Sequence, residues 1–434
     1  ARNTDFNLSE KETPADGVIT GYGVIDGSLV YVYSQDASVL NGSIGEMHAK
    51  KIVHLYDLAM KTGAPVIGLI DCAGFRLQEA TDALNAFGEI YTKQVMASGV
   101  IPQITGIFGN CGGGLAVVPA LTDFTFMEKD KARLFVNSPN ALEGNDSSKC
   151  DTSSAQYQSQ NAGLVDVLGS EEEILAQMRQ LVSMLPSNYE DNSAYTECTD
   201  DLNRVCPELA NCVGDTSIAL SQIADNNEFF EVKAEYAKDM VTGFIRLNGA
   251  TVGCVANRSE IYNEEGEKTD SFDNVLSARG CKKAAQFVKF CDAFEIPVLT
   301  LTNVKGYKAT KCSEANMARN AAELTNAFIS ATVPKVNVVI GEAFGSAYLT
   351  MNSKSTGADM VYAWPSAQIG MMDAKLAAKI MYAGSDVQTI NEKAAEYAML
   401  QSSALSAAKR GYVDTIIEPL DTRKYVIGAF EMLF

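Results

Sequence analysis

The chain has 434 residues, 47% hydrophobic and 21% charged, and its 54 acidic against 35 basic side chains give a net charge of −19. That length exceeds one hydrophobic core and predicts two domains, while the acidic balance argues against nucleic acid as a partner and no apolar run reaches the ~20 residues of a membrane span. Ten cysteines without a Cys-x-x-Cys pair, with only His48 and His54 beside them, leave no zinc set, and no metal is expected.

In chain order, the start Ala1-Arg2-Asn3-Thr4-Asp5 is polar and has no signal core, so the expected compartment is the cytoplasm, with a peripheral place at the inner membrane face left open. Ser28 to Tyr33 alternates as a strand does. His48 to Met60 is apolar at helical spacing; Thr62-Gly63-Ala64-Pro65 stops that helix and launches a strand over Val66 to Ile70. Ala97 to Pro102 ends the next helix and opens a strand over Gln103 to Phe108, followed by Gly109-Asn110-Cys111-Gly112-Gly113-Gly114. Strand, short turn and helix in succession predict parallel strands with right-handed crossovers. Gly144 to Gln160 reads as an exposed, mobile loop, and residues 187–227 as a polar linker with a short helix over Val213 to Ile223.

The chain is then written a second time. Lys50-Lys51, Pro65, Gly74, Pro102, Gly109 and Gly113 return as Lys282-Lys283, Pro297, Gly306, Pro334, Gly341 and Gly345, each 232 residues later. Gly21 and Gly27 return as Gly243 and Gly249, and Gly163-Leu164-Val165-Asp166 as Gly411-Tyr412-Val413-Asp414. The expected layout is an N-terminal domain over 1–186, the linker, and a C-terminal copy over 228–434. Two copies imply two related pockets and a reaction with two occupants.

Each copy has two glycine turns at strand ends: Asp71–Phe75 and Cys111–Gly114, then Asn303–Tyr307 and Phe344–Ala347. Backbone N–H groups at such turns lack partners and can hold a negative oxygen. Tight packing alone is the bland reading of any one turn. A phosphate cradle fits poorly, because neither a P-loop nor a dinucleotide fingerprint is present. Side-chain catalysts are scarce: His48 and His54 sit in no triad pattern, and Cys72 and Cys111 have Val304 and Ala343 as counterparts, so small size explains them. Lys61, in Ala59-Met60-Lys61-Thr62, reads as a surface lysine.

Asp16-Gly17-Val18-Ile19-Thr20-Gly21 with Ser34-Gln35-Asp36, Gly42-Ser43 with Glu46 and His48-Ala49, Pro119–Phe124, Phe229–Val232, Cys291–Phe294 and Tyr362–Pro365 span nearly the whole chain. They resemble the carboxyltransferase subunit of biotin-dependent acyl-CoA carboxylases, of the propionyl-CoA carboxylase β-chain and methylmalonyl-CoA decarboxylase α-subunit type. The resemblance implies an α/β fold of two tandem crotonase-like domains, the first binding acyl-CoA and the second binding biotin, with the active site formed across a dimer interface. It implies that Ala73 and Gly74 hold the thioester oxygen and that Ser346 and Ala347 hold the ureido oxygen of biotin, all through the backbone. Phe75, Arg76, Gly112, Gly113, Gly114 and Leu349 fall at substrate-binding positions, and Gly306, Tyr307 and Gly345 join Ser346 and Ala347 around biotin. The implied partners are a biotin carboxyl carrier protein and either a biotin carboxylase or a sodium-pumping membrane subunit, around a homo-hexamer arranged as a trimer of dimers.

Several positions depart from the family pattern: among them Phe75 stands where alanine is usual, Lys305 where proline is usual, and Ser346 where glycine is usual. Leu349 favours a plain short acyl chain. Two other readings stay open at this point: a biotin-independent crotonase-type decarboxylase or hydrolase of CoA thioesters, and a scaffold subunit with decayed pockets.

Overall fold

The computed structural model describes residues 1–191 and 194–433. They form two compact units, Ala1–Ala194 and Tyr195–Phe434. In the first, strands β1 (Val18–Ile25), β2 (Ser28–Gln35), β3 (Val66–Cys72), β4 (Gln103–Gly112), β5 (Phe124–Glu128) and β7 (Val167–Gly169) lie side by side in that order, and β6 (Arg133–Phe135) pairs the far end of β4. Among the strand pairs of this sheet in the described residues, the β1–β2 hairpin alone is antiparallel. β3 is almost wholly buried because a parallel strand is covered on both faces, which is why Val66–Ile70 reads as one apolar run. The helix Glu46–Thr62 ends at Gly63, whose φ of 65° is the left-handed cap that glycine adopts freely. Ile52, Leu55, Tyr56 and Ala59 from it meet Ala86, Phe87 and Ile90 of the helix Ala80–Ala97 in one core.

The second unit repeats the plan with β8 (Phe229–Val232), β9 (Met240–Leu247), β10 (Ala250–Asn257), β13 (Val298–Val304), β14 (Lys335–Phe344), β15 (Met360–Ala363) and β17 (Thr415–Ile416). β16 (Gln368–Gly370) pairs the end of β14, and β11 (Glu260–Tyr262) with β12 (Lys268–Ser271) makes a separate ribbon. The helices Ala278–Ala293 and Lys311–Ser330 correspond to 46–62 and 80–97. The repeat extends to lysine contacts: Lys51 Nζ donates to the carbonyls of Ala15 and Val18, and Lys283 Nζ to those of Lys233, Tyr236 and Met240.

Two loop expectations change. From Tyr195 on, the supposed linker belongs to the second unit, where Leu209, Leu220 and Ile223 are fully buried; the polar composition of this stretch hides a short apolar stripe on the helix Thr216–Ile223. The later half of 144–160 is packed too, with Ser153, Ala155 and Ser159 buried and a turn of helix capped by Ser154. Among the described residues no helix is long and apolar enough to cross a membrane.

His48 is a buried framework residue. Its Nδ1 lies 2.9 Å from the Asp16 carbonyl and its Nε2 lies 3.2 Å from Gln35 Nε2. Burial lowers its pKa from 6.5 to about 4. The folded value lies below the unfolded one, so the unfolded chain binds the extra proton between those limits. Stability is therefore complete above pH 6.5 and falls by up to about 3 kcal/mol as pH drops toward 4. Urea titrations of wild type and His48→Gln at steps across that window check this; equal acid slopes would contradict it.

Candidate active site

The strand tips carry the site. In each unit the register between the two central strands slips just before the turn, between Ile70 and Cys72 in the first and between Thr302 and Val304 in the second. Beyond the slip Cys72 pairs with Cys111 and Val304 with Ala343, so the tips part with a small residue at each closing pair. One side chain ties each pair of tips: Asp71 Oδ1 accepts the Asn110 N–H at 3.1 Å, and Asn303 Oδ1 accepts the Glu342 N–H at 2.8 Å. A Cβ on Gly109 or Gly341 would overlap that same side chain, which requires glycine at both places.

In the first unit the two turns stand together. A Cβ on Gly74 would lie 4.0 Å from the Gly112 carbonyl oxygen. Phe75 packs edge-on against Phe87 (4.6 Å between ring centres), Phe87 against Tyr91 (5.1 Å), and Tyr91 donates its hydroxyl to the Gly114 carbonyl. The ring that replaces the usual alanine is thus one rung of an aromatic bracket joining both turns. Gly113 takes φ 63° and opens a helical turn with Gly114, where N–H groups have no partner within the helix.

Not every expected donor is free. The Ala73 N–H donates to the Asn41 carbonyl at 3.0 Å, so its one proton is committed to the fold and the oxygen-holding role read for Ala73 fails on that ground. The Gly74 N–H meets only the Cys72 sulfur, at 3.2 Å, a weak acceptor that a ligand oxygen can displace. Arg76 is likewise corrected: its side chain is fully buried against Asp16, Glu79 and the Ser43 carbonyl, and its N–H donates to Ile44. Its one unpartnered donor, Nε, is buried with the rest of the side chain. Both turn thiols are pushed up by burial, Cys72 to about 12 and Cys111 well above its ordinary value, so neither is a nucleophile near neutrality.

In the second unit Lys305, Gly306 and Tyr307 share a cleft of about 620 Å³ with Gly345, Ser346 and Ala347. The Lys305 N–H donates to the Asn274 carbonyl at 2.9 Å, as its counterpart Ala73 does to Asn41. A Cβ at Gly306 would meet nothing within 4 Å, so that turn borders open space. Gly345 takes φ 63° and starts the helix Gly345–Thr350, the same geometry as Gly113. Leu349, on that helix, is exposed. Among the described residues, no group of three or more His, Cys, Asp or Glu side chains is placed to share a metal ion.

The family model described as the carboxyl transferase domain matches residues 1–434. This chain belongs to the carboxyl transferase family. The transferase is 40% identical to the propionyl-CoA carboxylase beta chain of Roseobacter denitrificans, covering 100% of this chain and 86% of that protein. It is 38% identical to the methylmalonyl-CoA decarboxylase subunit alpha of Veillonella parvula, covering 100% and 85%. Among solved structures it matches the transcarboxylase 12S hexamer with methylmalonyl-coenzyme A and methylmalonic acid bound, at TM-score 0.92 and 35% identity, covering 100% of this chain and 85% of that one. Both units of the transferase are crotonase-like. It is a biotin-dependent acyl-CoA carboxyltransferase, and the biotin-independent reading is not favoured.

Sequence reasoning missed several residues that shape the transferase's pockets. Phe87 and Tyr91 lie on the helix 80–97 and reach the turns only through packing, and Glu342 from β14 and Met371 and Asp373 from the segment after β16 join the second cleft. Glu342 had one legible signal: it directly follows Gly341, in the turn matched to Gly109-Asn110.

Proposed function

We propose that the transferase moves a carboxyl group between biotin on a separate carrier and the α-carbon of a short acyl-CoA, with propionyl-CoA and methylmalonyl-CoA as the first substrates to test. The observation that carries this reading is the pair of matched turn sets, one per unit, each presenting backbone donors beside a glycine at φ 63°. In the first unit, Gly74 with Gly113 and Gly114 forms the oxyanion hole: these amides take up charge on the thioester oxygen as an enolate forms. In the second, Gly306, Tyr307 and Gly345–Ala347 offer neutral amides in a cleft wide enough for a bicyclic urea, and this donor set fits biotin. When bound, biotin carries the carboxyl group and, once relieved of it, supplies a basic nitrogen. His48 is buried and bonded away from solvent and His54 is exposed on the same helix, so this chain's imidazoles take no part in moving the proton.

The substrates named for the relatives support the acyl class. The transferase works with a biotin carboxyl carrier protein and assembles as a homo-hexamer, the latter supported by the hexamer assembly of transcarboxylase 12S. Its place is cytoplasmic, beside either a biotin carboxylase or a membrane decarboxylase subunit. The test supplies purified protein with methylmalonyl-CoA or malonyl-CoA, with and without biotinylated carrier, and follows the decarboxylated thioester. Turnover is expected only with carrier, and faster with methylmalonyl-CoA. Equal turnover without biotin would return the reading to a biotin-independent decarboxylase.

A further inference from the structure

Acid and amide change places between the two copies. In the first unit the side chain that ties the strand tips is a carboxylate, Asp71, and the residue it holds is an amide, Asn110; in the second the tie is Asn303 and the residue it holds is Glu342. The carboxylate is thereby moved off the tie and onto the border of the cleft that carries Gly306, Tyr307 and the helix start Gly345–Ala347.

An asparagine network fixes it there. Asn257, buried, accepts the Asn303 N–H at 2.8 Å and donates from Nδ2 to Asn274 Oδ1 at 3.0 Å. Asn274 Nδ2 in turn donates to Asn303 Oδ1 at 2.8 Å and to Glu342 Oε2 at 3.2 Å, while the Asn274 carbonyl accepts the Lys305 N–H at 2.9 Å. One residue therefore sets the carboxylate against the turn that continues into Gly306 and Tyr307. Both amide protons of Asn274 are used, and Glu342 Oε1 has no partner among the described residues. A half-buried carboxylate anchored through one oxygen beside a cleft is a ready acceptor for an N–H.

Backbone amides that take a ureido oxygen do not distinguish the two nitrogens flanking it. A carboxylate does, because it accepts from N–H and repels a carboxyl group on the same atom. We propose that Glu342 orients the biotin ureido ring: Oε1 accepts the N–H of the nitrogen that stays uncarboxylated, which turns the carboxyl-bearing nitrogen to the other side of the carbonyl. This rests on the reading of the second cleft as the biotin site. No bond is made or broken at Glu342, so its effect belongs to binding and selection.

The probes are biocytin and its analogue methylated on the nitrogen that is never carboxylated, titrated onto the full-length protein and read by ligand-observed NMR, which needs no turnover. Wild type is expected to bind the methylated analogue at least about tenfold more weakly than biocytin, the loss of one charge-assisted hydrogen bond. Glu342→Ala is expected to weaken biocytin by about tenfold and to bind the two probes alike. Glu342→Gln, which keeps an oxygen for Asn274 and so guards the fold, is expected to fall between. In decarboxylation assays with free biocytin as acceptor, KM for biocytin rises in both variants while KM for methylmalonyl-CoA stays at the wild-type value. Equal biocytin affinity in wild type and Glu342→Ala, or discrimination against the methylated probe that survives Glu342→Ala, overturns this inference and leaves the cleft's assignment standing. No biocytin binding by wild type up to about 20 mM overturns the assignment and the inference with it.

Discussion

Gly74→Ala is expected to lower thioester decarboxylation by at least about 100-fold while the protein stays folded. Gly74 sits at φ 104°, a region that residues with a Cβ occupy only at a cost of about 1–3 kcal/mol. Space is not the obstacle, since the added carbon would find only the Gly112 oxygen, at 4.0 Å. The strain is relieved by rotating the turn, and that swings the N–H away from the place proposed for the thioester oxygen. Losing one such donor costs about 10²–10³ in rate, and a displacement of about 1 Å can cost 10²-fold. Gly306 occupies the matched position without a left-handed φ and with nothing within 4 Å of its Cβ position; Gly306→Ala is expected to lose less than about tenfold. Single-turnover rates with methylmalonyl-CoA and carrier, set beside urea midpoints, separate chemistry from folding. A fully active Gly74→Ala would remove the first turn from the mechanism.

The repeat was legible because it is written in local chemistry. A helix stop at Gly63, an apolar strand over Val66–Ile70 and glycines at 109 and 113 each follow from neighbours in the chain, and the 232-residue offset pairs them with structural equivalents down to the same register slip. What escaped depends on residues far apart. The commitment of the Ala73 amide is decided by Asn41, and the orientation of Phe75 by Phe87 and Tyr91. The burial of 195–227 is decided by β9 and β10, which come later in the chain and turn a polar stretch into core through a single stripe. No periodicity within a segment encodes where its one apolar stripe will land.

Arg76 is the second large effect, because it neutralises a helix cap assembled from distant residues. The helix 46–62 begins after Gly45, which has no side chain to cap it. Glu79 Oε2 accepts the Glu46 N–H at 2.8 Å and Asp16 Oδ2 the His48 N–H at 3.1 Å, so two buried carboxylates do what one serine does in the second unit, where Ser277 at the matched position accepts the Gly280 N–H at 3.0 Å. A Cβ on Gly45 would press into Glu79 and Arg76, so glycine at the cap and carboxylates from elsewhere are one arrangement. Arg76 binds both carboxylates and the Ser43 carbonyl, with its side chain at 0% exposure. Arg76→Met leaves the buried Glu79 charge without a cation and Asp16 with only the Ala1 ammonium at 3.4 Å, and the expected loss is about 3–5 kcal/mol of stability. The rate is expected to fall as well, because the guanidinium holds the carbonyl of Ser43, next to Ile44, whose N–H donates to the Gly74 carbonyl and ties the capped segment to that turn. Arg76→Lys restores charge without the forked geometry and recovers only part. Adding Glu79→Gln to Arg76→Met removes one stranded charge and is expected to regain stability but not rate, since the Ser43 carbonyl still lacks the guanidinium that held it. Urea midpoints and single-turnover rates on these variants decide it: an Arg76→Met protein that melts with wild type would mean the carboxylates hold the helix unaided.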